Sequence, residues 1–192
     1  MLLISSLSAF EGAGSQYGRC KLELERAVLE RGGVALRPGL IFGAGAAGSG
    51  GGGLFGAMVA SLSKGALAPL IDGGRQRLFV THDQSLCELV EAIVDGLLVP
   101  PGTLFAAHEV PTTLRSIAAQ IAGVRGRRLR VLAVPRAPVY LALRCAELAG
   151  LRLAFRSDSL RSLSHPIPLD QVSALARSAV EFPPLTAELW LR

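Results

Sequence analysis

Aromatic residues make up only 5% of this chain and charged residues 18%, against 50% hydrophobic. Lysine is scarcer still: Lys21 and Lys64 stand beside 18 arginines, which with 15 acidic residues give a net charge of +5. The densest basic stretch, Arg125 to Arg130, has no aromatic residue interleaved for stacking bases, so a solvated turn is expected there and no nucleic acid. Mean hydropathy is +0.42, yet no run of about 18 uninterrupted apolar residues occurs, and no membrane span is expected. The longest candidate, Ala137 to Ala149, is broken by Arg144 and Glu147. The start, Met1 to Leu7, lacks the basic leader and apolar length of a signal peptide. The expected setting is soluble and cytoplasmic.

Cys20, Cys87 and Cys145 are three, far apart and without metal-ligand spacing. That excludes a disulfide framework and predicts reduced, buried thiols. His82, His108 and His165 are as dispersed, and no metal site is expected.

What is present alternates strand-like and helix-like segments. Leu2 to Ser6 is a short apolar strand running into small polar residues. Gln16 to Arg31 reads as a helix with Ser15 as its cap, Gly32-Gly33 as its stop, and an inward stripe of Tyr17, Lys21, Leu24 and Val28. Val34 to Phe42 reads as a second strand, followed by glycines from Gly43 to Gly53. Further strands are predicted at 78–80, 104–107 and 129–134, with helices at 54–63, 84–97, 112–123, 138–149 and partly over 169–180. This order predicts an α/β fold with a parallel sheet, and Phe182 and Trp190 are expected to pack the tail onto the body. A buried parallel strand needs neighbours on both sides, and nothing before Leu2 supplies one. The expectation is a truncated chain, with the edge at residues 2–6 open to pairing with another chain or copy.

Tyr17 and Lys21 are four residues apart, hence on one face of their helix. A lysine on an inward stripe is costly unless its ammonium has a partner or a route to water. Ser6 stands eleven residues before Tyr17, at the end of an apolar strand.

The stretch LLISSLSAF…YGRCKLELE…GVALRPGLIFG resembles the active-site region of the short-chain dehydrogenase/reductases, in their extended, NAD-dependent epimerase/dehydratase form. The Ser6–Tyr17 spacing is shorter than in most extended members. LIDGGRQRLFVTHDQSLCELVEAIV and FRSDSLRSLSHPIP extend the likeness more loosely. The resemblance implies a partial Rossmann-like parallel sheet with a mainly helical, carboxyl-terminal substrate-binding part. Residues 1–56 would be the second half of the core, and 57–192 the substrate-binding region interleaved with the remaining strands. It further implies that Tyr17 moves a proton on a substrate hydroxyl or carbonyl. An ammonium beside a phenol favours the phenolate, which gives Lys21 its part; in the family that lysine also bonds the nicotinamide ribose. Ser6 would hold the substrate oxygen, with Ser5 and Ser8 as alternatives. Pro38, Gly39 and Leu40 would pass close to the nicotinamide of NAD or NADP, Gly39 by letting the backbone approach a ring. Arg75 and Arg77 would meet the diphosphate of a nucleotide sugar, or else lie in an exposed turn.

Gly43 to Gly48 also spells G-x-G-x-x-G after a strand, the pattern of a dinucleotide-phosphate loop. Arg37-Pro38 within that strand and the glycines continuing to Gly53 argue instead for a loop over the substrate site. Two functions are therefore expected as alternatives. One is an NAD(P)-dependent epimerase, dehydratase or reductase of a sugar-nucleotide-like or other hydroxyl or carbonyl compound. The other is a non-catalytic remnant or interaction subunit of the same fold, lacking cofactor binding.

Overall fold

The computed structural model describes residues 1–44, 53–65, 67–99, 102–150, 157–164 and 167–190. The G-x-G-x-x-G pattern lies, from residue 45 onward, outside the described residues, as does His165.

Strand β1 (Leu2–Ile4) runs parallel to β2 (Val34–Pro38), which pairs with β7 (Thr103–Ala106), itself paired with β10 (Ala176–Arg177). The sheet order is thus β1-β2-β7-β10, all parallel. Helix α1 (Gln16–Leu29) connects the first two strands. Ser15 caps it as expected, its Oγ accepting from Gly18 N at 3.1 Å. Gly32, at φ +69°, reverses the chain beyond it.

The segment expected as one strand over 34–42 is two. β2 ends at Pro38, opposite Ala106, and β3 (Leu40–Phe42) pairs with β6 (Val80–His82) in a separate parallel sheet. Gly39 makes the break. Its N–H donates to Thr81 Oγ1 at 2.8 Å, and the buried Thr81 hydroxyl donates to the Ala106 carbonyl at 2.7 Å. A Cβ on Gly39 would overlap the Phe79 carbonyl oxygen, so the close approach that this glycine permits is to the protein's own backbone.

Two further strand pairs complete the body: parallel β4 (Leu67–Ile71) with β9 (Arg130–Val134), and antiparallel β5 (Arg77–Leu78) with β8 (Thr112–Thr113). β4 was not foreseen because Pro69 interrupts its pattern, and the two-residue β10 carries no periodicity to read. The remaining helices are α2 (Leu54–Lys64), α3 (Asp83–Val94), α4 (Leu114–Val124), α5 (Arg136–Leu148), α6 (Ser157–Ser164) and α7 (Leu169–Ala174). Among the described residues no helix is long and apolar enough to cross a membrane.

Three apolar clusters hold these elements. Phe42, Phe55, Leu62, Ile117, Ile121 and Trp190 fill the space between β3, α2, α4 and the tail. Leu36, Leu86, Leu89, Leu104 and Phe182 pack α3 and the tail on one face of the main sheet. Leu7, Phe79, Phe105 and Val172 cover the other. Phe182 and Trp190 do pin the tail to the body.

Two expectations are corrected. The buried face of α1 is Gly18, Glu25 and Val28, while Tyr17 and Leu24 are half exposed, at 49% and 50%. The helix is rotated because Gly18 sits against the Ser8 backbone, where a Cβ would overlap the carbonyl oxygen. The three cysteines are free thiols but exposed. Cys20 lies off the Gly18–Glu25 face, Cys87 beside rather than on the Leu86–Leu89 face, and Cys145 on α5, which buries no residue.

Candidate active site

Where β1 ends, the chain turns over the end of β2: Ser5 N donates to Leu36 O at 2.7 Å and Leu7 N to Pro38 O at 3.0 Å. This puts Ser6 beside the Pro38–Gly39 break. Alternation then separates the three serines. Ser5 is buried away from the cleft with no hydrogen-bond partner for its hydroxyl among the described residues. Ser6 and Ser8 face the cleft. Ser6 Oγ accepts from Ser8 N at 3.1 Å, an ST-type turn that leaves its O–H to donate outward. Ser8 Oγ is already engaged, 3.0 Å from Ser162 Oγ on α6.

The cleft, about 1560 Å³, is lined by Ser6, Ser8, Tyr17, Pro38, Gly39 and Leu40. α2 lines it through Leu54, Ala57 and Val59, and α5 and α6 through Tyr140, Arg144 and Asp158. Lys21 stands one turn along α1 from Tyr17, outside the cleft lining. Its Nζ lies 5.8 Å from the centroid of the Tyr17 ring and donates to the Ile4 carbonyl at 2.7 Å. That bond answers the desolvation question, since an ammonium held on a strand-end carbonyl is tolerated at a half-buried position.

Of the two arginines expected near a diphosphate, Arg77 lines the cleft, whereas Arg75 is exposed and outside it. The lining also carries Arg19, Arg125, Arg144 and Arg161, against two carboxylates, Glu147 and Asp158. Both carboxylates are engaged, Glu147 also lying 3.5 Å from Arg144 Nη1. Glu147 accepts from Ser157 N at 2.8 Å and Ser157 Oγ at 2.7 Å; Asp158 accepts from Gln16 N at 2.7 Å and Tyr17 N at 3.0 Å. The cleft is therefore basic, suited to an anionic ligand. No group of three or more histidines, cysteines and acids that could hold a metal occurs among the described residues.

Three residues near the site were not singled out from the sequence. Glu25, 2% exposed, forms a two-pronged ion pair with Arg37, with contacts of 2.8 and 2.6 Å, tying α1 to β2. Its signal was available, because Glu25 continues the four-residue step from Tyr17 and Lys21. Asp158 and Ser162 had none, since they meet their partners only in the fold.

No protein-family profile matches the chain, and no curated protein matches it in sequence. Among solved structures, the UDP-glucose 4-epimerase of Thermus thermophilus, solved with NAD, superposes with TM-score 0.57 at 16% identity, covering 90% of this chain and 63% of that one. The dTDP-glucose 4,6-dehydratase of Bacillus anthracis, also with NAD, gives 0.54 at 12%, covering 84% and 59%. WbmF of Bordetella bronchiseptica, with NAD+, gives 0.54 at 18%, covering 84% and 56%. The chain thus spans between half and two-thirds of the length of these structures. Its parallel sheet and flanking helices share the Rossmann-like α/β fold of these three structures.

Proposed function

We propose that the chain carries the proton-transfer half of an NAD(P)-dependent epimerase, dehydratase or reductase acting on a nucleotide-sugar-like hydroxyl or carbonyl compound. The observation that carries this reading is that Ser6 and Tyr17, from separate elements, both line one basic cleft, with Lys21 beside the Tyr17 ring. On this reading residues 1–56 are the second half of the Rossmann-like core and 57–192 the substrate-binding region.

The side chains present fit the nicotinamide-ribose end of such a cofactor. Ser6 offers an O–H, the Tyr17 ring is half exposed, and Pro38 to Leu40 pass beside them. Lys21 would have to divide its three donors between Ile4 O and a ribose hydroxyl. NAD(P), when bound, supplies hydride exchange at the substrate carbon. Tyr17 then takes or returns the proton of the adjacent oxygen, and Ser6 donates to that oxygen as charge develops on it. Arg77 and the other cleft arginines would pair with a diphosphate.

Titration of the purified chain with NADH and NADPH, followed by nicotinamide fluorescence and thermal stability, tests this. Saturable binding that weakens at least several-fold in Lys21→Ala is expected. A folded chain that binds neither nucleotide sinks the enzyme reading.

A second reading, an interaction subunit of this fold, is favoured by one observation. β1 is the outermost strand of its sheet among the described residues, with Ile4 38% exposed, and such an edge pairs readily with another chain. Under this reading the same titration is silent, and sedimentation shows a concentration-dependent assembly.

A further inference from the structure

Helix α6 reaches two places beside the candidate catalytic set, the start of α1 and the loop after β1. Asp158 spreads its two carboxylate oxygens over the first two amides of α1: Oδ1 accepts from Gln16 N at 2.7 Å and Oδ2 from Tyr17 N at 3.0 Å. A helix start leaves its first amides without partners in the helix. Ser15 takes the third, Gly18 N, and the first intrahelical bond is Arg19 N to Ser15 O at 3.2 Å. Asp158 thus supplies the two acceptors that local sequence does not, and one of them is the backbone of Tyr17 itself. One turn further along α6, Ser162 Oγ lies 3.0 Å from Ser8 Oγ, and the backbone amide of Ser8 is bonded to Ser6 Oγ. α6 is seated in turn by Glu147 of α5, which accepts from both Ser157 N and Ser157 Oγ.

We infer that α6 is a clamp, with Asp158 and Ser162 as positioning residues that set Tyr17 and Ser6 relative to each other. The catalytic part of this inference rests on the function proposed above; the clamp does not. A carboxylate is the right group at this point, because it accepts two amide bonds at once and complements the positive end of α1. It also accounts for Asp158 among the cleft arginines: its charge is committed to the helix start.

The test compares the whole chain with Asp158→Ala, Asp158→Asn and Ser162→Ala. The first readout is amide hydrogen exchange. In Asp158→Ala, exchange at Gln16 and Tyr17 should rise about tenfold, the equivalent of one lost cap, with Val28 and Leu29 unchanged. Asp158→Asn, which keeps one acceptor oxygen, should fall between. Unchanged exchange at Gln16 and Tyr17 overturns the clamp. The second readout uses NAD with UDP-glucose as the probe pair. Loss of position should lower the rate of NADH formation about 100-fold, with the dissociation constant for NAD held within about twofold. Equal loss in NAD affinity and rate, or a rate that falls only with the folded fraction, overturns the positioning role. A wild-type chain that binds no NAD removes the function proposed above and the catalytic role with it, while the exchange result still decides the clamp.

Discussion

At the scale of single residues, the site depends on how closely α1 lies on the loop after β1. Gly18, next to Tyr17, is the point of contact, since a Cβ there would overlap the Ser8 carbonyl oxygen. Alanine is the better helix former by about 1 kcal/mol, so propensity alone predicts that Gly18→Ala stabilises α1. Overlap with backbone in a packed region costs about 1–3 kcal/mol, and backbone cannot swing aside as a side chain can. The expected outcome is a net loss of stability in urea, together with weaker NADH binding if the cleft at Ser6 and Tyr17 is the cofactor site. A stabilised variant would show that the loop yields freely. Tyr17, Lys21 and Ser6 were legible as candidates through the family resemblance of their stretch, not from spacing alone. Which side Ser5 faces was not, because a one-residue change in register reverses the side each serine takes; Ser6 and Ser8 share the cleft side.

At the scale of elements, α1 is held on the sheet by a charge pair rather than by an apolar stripe. Glu25 and Arg37 are 2% and 11% exposed and doubly bonded. Removing one partner strands a buried charge, so Arg37→Ala is expected to destabilise by about 3–5 kcal/mol. The double replacement Glu25→Leu with Arg37→Met leaves no orphan and should recover much of that loss. Urea denaturation of Arg37→Ala, Glu25→Leu, Arg37→Met and the double replacement checks both statements, and additive losses would show the two groups are not coupled. Helix boundaries were well anticipated where caps are local, as with Ser15 and with Thr113, whose Oγ1 accepts from Ser116 N. The rotation of α1 was not, since a leucine at position 24 and a glutamate at 25 suggest the opposite face. The break of the 34–42 segment was half legible: Arg37-Pro38 marked it as an awkward central strand. Only Thr81, bonded to both Gly39 and Ala106, assigns its two halves to different sheets.

At the scale of the whole molecule, the tail closes the structure. Residues 176–177 add the last strand of the main sheet, Phe182 enters one apolar cluster and Trp190 another. Trp190 is 4% exposed and meets Phe55 edge-on at 5.8 Å, yet its indole N–H has no partner among the described residues. Trp190→Ala should therefore cost about 3–5 kcal/mol through the cavity it leaves. Trp190→Phe, which also removes an unsatisfied donor, should cost far less. Denaturation followed by far-UV circular dichroism separates the two; equal losses would mean that the N–H is bonded in solution.

The sequence by itself determined the α/β class, most helices and their local caps, because these depend on periodicity and cap chemistry within a few residues; the Ser6, Tyr17 and Lys21 candidates came from the family resemblance of their stretch. Tertiary structure alone decided which of the three serines face the cleft, that Arg77 rather than Arg75 reaches it, that Glu25 pairs with Arg37, and that Asp158 completes the start of the Tyr17 helix. The physical reason is the same in each case. A polar group without a local partner takes whatever partner packing brings to it, and for Tyr17 N that partner lies 141 residues away.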